Sequence, residues 1–130
     1  MDTGRDALAG LRILIVEDEF LVAMLVEEML HDLHCEIVGP VSTLKEAVAT
    51  VRQDRLDGAL LDANLNGKNS SPVADELLGH GVPFILVTGY SGHKGDPPVL
   101  QRAQRVTKPV NFDELADRMT EVFVRRPAER

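Results

Sequence analysis

The chain has a single cysteine, Cys35, in 130 residues, so no internal disulfide can support the fold. Within the apolar segment Cys35–Val38 that thiol reads as a small buried hydrophobe rather than a reactive group. Aromatic residues make up only 4% of the chain, which leaves the core to aliphatic side chains. Basic residues are outnumbered, with 14 Lys and Arg against 21 Asp and Glu, for a net charge of −7. A field of that sign repels phosphate backbones and argues against general nucleic-acid binding. The basic cluster Arg125, Arg126 and Arg130 reads as a solvated terminus. No stretch approaches the roughly 20 apolar residues that cross a bilayer, and the opening MDTGRDALAG lacks the apolar centre of a signal peptide. The expectation is a cytoplasmic protein with neither a membrane nor a nucleic-acid partner. Internal repeats, low-complexity tracts and linkers are missing too, and the length suits one compact domain.

What is present is an alternation of short apolar runs with segments of helical period, the pattern of parallel strands joined by helices. The first strand is Arg12 to Val16. Leu21, Val22, Leu25, Val26, Met29, Leu30 and Leu33 then recur at spacings of three and four, which predicts an amphipathic helix with that face inward. A second apolar run, CEIVG, ends at Pro40, and Ser42 is placed to cap a helix from Leu44 to Val51. The third strand, Gly58 to Asp62, leads into the polar turn NLNGKNSS and a helix opening near Pro72. Pro83 to Val87 and Arg105 to Thr107 supply the fourth and fifth strands. A last helix carries Phe112, Leu115, Met119, Val122 and Phe123 on one face. The fold class predicted is α/β, a doubly wound five-stranded parallel sheet of flavodoxin-like type.

In such a sheet the crevice lies at the carboxyl ends of the strands. Strand ends here deliver Glu17 and Asp18, Asp62, Thr88 and Lys108 to one rim. Three carboxylates together repel one another unless a cation offsets them. Mg²⁺ suits the role, since it takes oxygen ligands and keeps several waters. Asp62 would retain an oxygen able to attack phosphorus, with Lys108 and Thr88 supplying a charge and a hydroxyl to the phosphoryl oxygens. Singly, each residue has a plainer role as a helix cap or a solvated charge. Jointly, the set points to chemistry.

The motifs IVEDE, LLDANLNG, VTGY and TKP resemble, in this order, those of response-regulator receiver domains, and the match spans Leu11 to Val124. Residues 1–10 then form an N-terminal extension and residues 125–130 a tail. The resemblance implies that Asp62 is phosphorylated by a histidine kinase and that Asp18 and Asp62 ligate Mg²⁺. It also implies that Glu17 acts through a metal-bound water and that the backbone carbonyl of Asn64 completes the metal site. Thr88 and Lys108 would contact the phosphoryl group, and the Lys108–Pro109 bond would be cis. The implied output is docking to a downstream protein or onward phosphotransfer, by a module with intrinsic self-phosphorylation and dephosphorylation chemistry rather than an enzyme. The segment PFILVTGYSG resembles the subfamily with a Phe-Ala-Thr-Gly-X-Tyr signature, typically receivers without an output domain, although Ile85, Leu86 and Val87 depart from it.

Two further departures bear on switching. Arg105 stands where the family often has an aromatic, and Gly89 replaces a common Ala, with Tyr90 beside it as a candidate gate. The stretch from Gly89 to Gln104 contains Gly89, Gly92, Gly95, Pro97 and Pro98, which oppose helix. At most a short helix fits, from Pro98 to about Gln104, and the region is expected to be mobile until the phosphoryl group orders it.

Other classes fit less well. An aspartate-nucleophile phosphatase needs a second acid two residues after the nucleophile, where Asn64 stands. A flavodoxin phosphate loop would not carry Glu17, Asp18 and Glu19. A phosphorylation-independent pseudo-receiver that only binds partners is the strongest rival. His31 and His34, read as sharing a helix face, lack a third ligand and suit the helix C-terminus instead.

Overall fold

The computed structural model describes residues 4–89 and 95–124, and the expectations for Tyr90 and for the basic tail lie outside them. The apolar runs form β1 (Arg12–Val16), β2 (Glu36–Val41), β3 (Gly58–Asp62), β4 (Phe84–Thr88) and β5 (Arg105–Thr107). These pair in parallel in the order β2-β1-β3-β4-β5. Parallel neighbours require crossovers. These contain α1 (Phe20–Asp32), α2 (Leu44–Gln53), α3 (Ser71–Gly79) and the single turn α4 (Pro98–Gln101), while α5 (Phe112–Met119) follows the last strand. The doubly wound sheet predicted from the sequence is the fold observed. No helix among the described residues is long and apolar enough to cross a membrane.

Period-two alternation along the strands builds two cores. Ile13, Ile15, Leu60, Ile85, Val87 and Val106 pack with α1 and α5. Leu14, Val16, Ala59, Leu61 and Leu86 pack with α2, α3 and α4. Burying a side chain of this size stabilises the fold by about 1.5–3 kcal/mol, and β3 and β4 are buried along their whole length. Gly58 opens β3 because the Phe123 ring lies against it: a Cβ there would come within 2.6 Å of the ring. Phe123 belongs to a π-helical turn, Thr120–Val124, that continues α5, and Thr120 Oγ1 donates to the Ala116 carbonyl at 2.8 Å.

Several local expectations need correction. Leu21 and Leu25 do not face the core: they are 76% and 41% exposed, while Ala23, Val26, Met29 and Leu30 are buried. The apolar residues of α1 cover more of its circumference than one sheet can bury, so periodicity alone could not choose the inward arc. Thr43, not Ser42, caps α2. Its Oγ1 accepts the Glu46 N–H at 3.1 Å, and Glu46 Oε1 accepts the Ser42 N–H at 3.3 Å, so the cap stands one residue later than expected. His34 is not on the face of α1, because the helix ends at Asp32 and His34 adopts φ +63° beyond it. Strand β4 begins at Phe84, since Pro83 has no N–H for the ladder. Within the N-terminal extension, Arg5–Leu8 form a 3-10 turn that packs on the rest of the domain. Leu8 is fully buried in the α1/α5 core, and Arg5 pairs with Asp117 at 2.9 Å and Asp113 at 3.3 Å.

Candidate functional site

With every strand parallel, all five carboxyl ends lie on one rim, where Glu17, Asp18, Asp62, Thr88 and Lys108 follow or end β1, β3, β4 and β5. The local devices that place them are specific. In β2, Gly39 at φ +91° accompanies a shift in the β1–β2 register. A Cβ there would lie 2.9 Å from the Val41 nitrogen and 3.0 Å from the Ile15 oxygen. Beyond the shift, the Val41 carbonyl accepts the Glu17 N–H at 2.9 Å. On the far side the Thr88 carbonyl accepts the Lys108 N–H at 2.8 Å, just before the cis Lys108–Pro109 bond.

One carboxylate oxygen from each of Glu17, Asp18 and Asp62 lies within 4.8 Å of the others. Glu17 and Asp62 are each only 5% exposed. Asp62 borders a cleft of about 360 Å³ whose lining also includes Asp18, Glu19, Asn64, Thr88, Gly89 and Lys108. Asp62 Oδ1 accepts the Asn64 N–H at 3.1 Å, and Asp62 Oδ2 lies 3.4 Å from Lys108 Nζ. The same ammonium donates to Glu17 at 3.4 Å and to Glu19 at 2.8 Å.

The electrostatics follow from burial. Burial, then the hydrogen bond and charge of Asp62, push the Glu17 carboxyl up to about 8. Asp62 is raised as well, chiefly by burial, while its hydrogen bonds with Glu17 and with the Asn64 N–H and the charge of Lys108 work the other way. Burial alone would lower Lys108. The Glu19 hydrogen bond and the charges of Asp62 and Glu17 outweigh it and hold the ammonium above its ordinary value. The donor set of Glu17, Asp18 and Asp62 is all hard oxygen, and no His or Cys is among the described residues of the lining. That chemistry fits Mg²⁺ rather than a softer ion.

The structure thus brings together five of the side chains singled out from the sequence, with Thr88 buried at 2% exposure on the rim. Asn64 is there too, with its N–H directed to Asp62. Arg105 is elsewhere. Its guanidinium donates to the carbonyls of Leu100 at 2.7 Å and Gln101 at 3.2 Å, closing the C-terminus of α4. Cys35 is buried beside the Leu8 carbonyl, its thiol pushed up to about 11 by burial, in keeping with a structural role.

Two site residues were not identified from the sequence. Glu19 is the closest partner of Lys108 among the described residues. Asn66 is the second: Leu65 to Lys68 form a two-residue hairpin with φ +52° at Asn66 and +84° at Gly67, and the Asn66 N–H donates to Asp18 Oδ2 at 3.0 Å. The Asn-Gly dipeptide carried that signal, being the favoured pair for a type I′ turn.

A family profile described as the response regulator receiver domain matches residues 13–120. The phyllosphere-induced regulator PhyR of Methylorubrum extorquens is 32% identical over 109 residues, covering 76% of this chain and 41% of the relative. The chain spans less than half the length of the curated relatives it matches. The solution structure of SdrG from Sphingomonas melonis Fr1 is 38% identical with a TM-score of 0.73, covering 83% of this chain and 92% of that one. TrrA of Thermotoga maritima, solved in complex with Mg²⁺–BeF, is 29% identical with a TM-score of 0.74, over 85% and 96% of the two chains.

Proposed function

The chain belongs to the response regulator receiver family, and from that premise we propose that it takes a phosphoryl group from a histidine kinase onto Asp62 in the cytoplasm. The observation that carries the reading is the placement of Asp62: buried, its Oδ1 fixed by the Asn64 N–H, and its Oδ2 beside Lys108. A carboxylate oxygen of Asp62 attacks phosphorus, the P–O bond forms, and the P–N bond of the donor phosphohistidine breaks with its electrons leaving on nitrogen. Lys108 and Thr88 donate to the phosphoryl oxygens as charge builds on them. Glu17, Asp18, Asp62 and the Asn64 carbonyl would hold Mg²⁺, with Glu17 acting through a water, and the bound ion would offset the negative charge that nucleophile and phosphate share. The chain acts in its own phosphorylation and dephosphorylation rather than as an enzyme on other substrates.

Phe20, Leu21, Met24 and Leu25 form an exposed apolar stripe on the first turns of α1, next to Asp18. It supports docking of the kinase at this end of the sheet. The phosphorylated form then signals by binding a downstream protein or passes the group on. Arg105, whose guanidinium bridges β5 to the last carbonyls of α4, is the switch residue favoured among those described. The segment PFILVTGYSG supports membership of the Phe-Ala-Thr-Gly-X-Tyr signature subfamily.

The test is incubation of the full chain with Mg²⁺ and either acetyl phosphate or a panel of autophosphorylated kinases. One acid-stable, alkali-labile acyl phosphate is expected in the wild type and none in Asp62→Asn. Equal labelling of both proteins would remove Asp62 from the role. No labelling of the wild type by any donor would favour a phosphorylation-independent binding module.

A further inference from the structure

We propose that Glu19 is a positioning residue that holds Lys108 away from Asp62 and surrenders it when a phosphoryl group arrives; this rests on the phosphoacceptor reading above. An ammonium has three N–H donors. Lys108 directs them at three carboxylates, and the short contact, 2.8 Å, goes to Glu19, while Glu17 and Asp62 stand at 3.4 Å. The strongest hold on the lysine is therefore exerted from outside the buried pair.

The backbone explains how Glu19 is aimed. Its N–H donates to Glu17 Oε2 at 3.1 Å and its carbonyl accepts the Ala23 N–H at 2.9 Å, so the main chain is fixed on both sides. Glu19 occupies the N-cap of α1, where a side chain ordinarily turns to accept a helix N–H. Here it makes no such bond and extends to Lys108 instead. The Glu19 side chain is 60% exposed, against 3% for Glu17 and 7% for Asp62. Glu19 can thus return to water at little cost, whereas the buried Glu17 and Asp62 would lose a partner that water does not replace. A phosphoryl group on Asp62 adds acceptor oxygens next to Lys108, and the partner it displaces is Glu19. The resting contact consequently opposes phosphoryl binding by the strength of an exposed ion pair, and removing it strengthens that binding about two- to fivefold.

The experiment is a calorimetric titration of the full chain with beryllofluoride, a phosphoryl mimic, at saturating Mg²⁺, comparing wild type with Glu19→Gln and Glu19→Asp. Gln removes the charge at constant length. Asp keeps the charge but falls short of Lys108 by one methylene. Both variants are expected to bind about two- to fivefold more tightly than wild type. Unchanged affinity in both would overturn the proposal. So would tightening in Gln alone, since the effect would then come from local charge and not from the contact. A wild type that binds no beryllofluoride with Mg²⁺ would overturn the phosphoacceptor reading itself, and this inference with it.

Discussion

The backbone N–H of Asn66 donates to Oδ2 of Asp18 at 3.0 Å, joining residues 48 positions apart. The type I′ turn that offers this donor depends on Gly67 at φ +84°, a conformation that β-branched residues resist. Gly67→Val is therefore expected to disturb the hairpin, free the Asp18 carboxylate to rotate, and weaken Mg²⁺ binding about tenfold, the scale of lost outer-sphere support at metal sites. Calorimetric Mg²⁺ titration checks this. An unchanged dissociation constant would show that Asp18 is oriented without the hairpin.

The acidic pair is expected to divide its labour. On the proposed assignment, with Asp18 a direct ligand and Glu17 acting through water, Asp18→Asn should weaken Mg²⁺ binding more than Glu17→Gln does. Side-by-side titrations of the two variants decide the matter, and the reverse order would exchange their roles.

Metal-free stability should depend on pH with a defined sign. Glu17 titrates near its ordinary 4.5 in the unfolded chain and near about 8 in the fold, so between those values the folded state holds a proton that the unfolded state has lost. Stability then falls as pH rises through that window. Asp62, also raised, adds to the fall. Thermal melts of the metal-free protein should show a midpoint several degrees lower at pH 8 than at pH 5, and Glu17→Gln should flatten the curve. Because Mg²⁺ favours the ionised site, it should raise the midpoint more at pH 8 than at pH 5. A midpoint rising with pH would contradict the protonated pair.

Docking and chemistry should separate at α1. Leu21→Ser with Met24→Ser alters the exposed stripe without touching a buried group. Transfer from the cognate kinase is expected to fall about tenfold, as when an interface anchor is truncated, while labelling by acetyl phosphate stays unchanged. Equal losses with both donors would place the defect in the site rather than in docking.

The sequence by itself determined the five strands, the helices between them and the rim. Strand runs such as Gly58–Asp62 are apolar on both faces, which only a sheet covered on both sides accommodates, and in a parallel sheet the residues that close each run must share one edge. Asp18, Asp62, Thr88 and Lys108 could accordingly be assembled without coordinates. Tertiary structure alone decided which arc of α1 is buried, because its apolar residues exceed one face and the outcome depends on how the helix lies against β1 and β2. It alone placed Leu8 in the core, since a four-residue turn has no period to detect. It also decided the partners of the charges. That Lys108 lies closest to Glu19, 89 positions away, follows from the distance between two loops on a closed fold. One-dimensional spacing carries no measure of that distance.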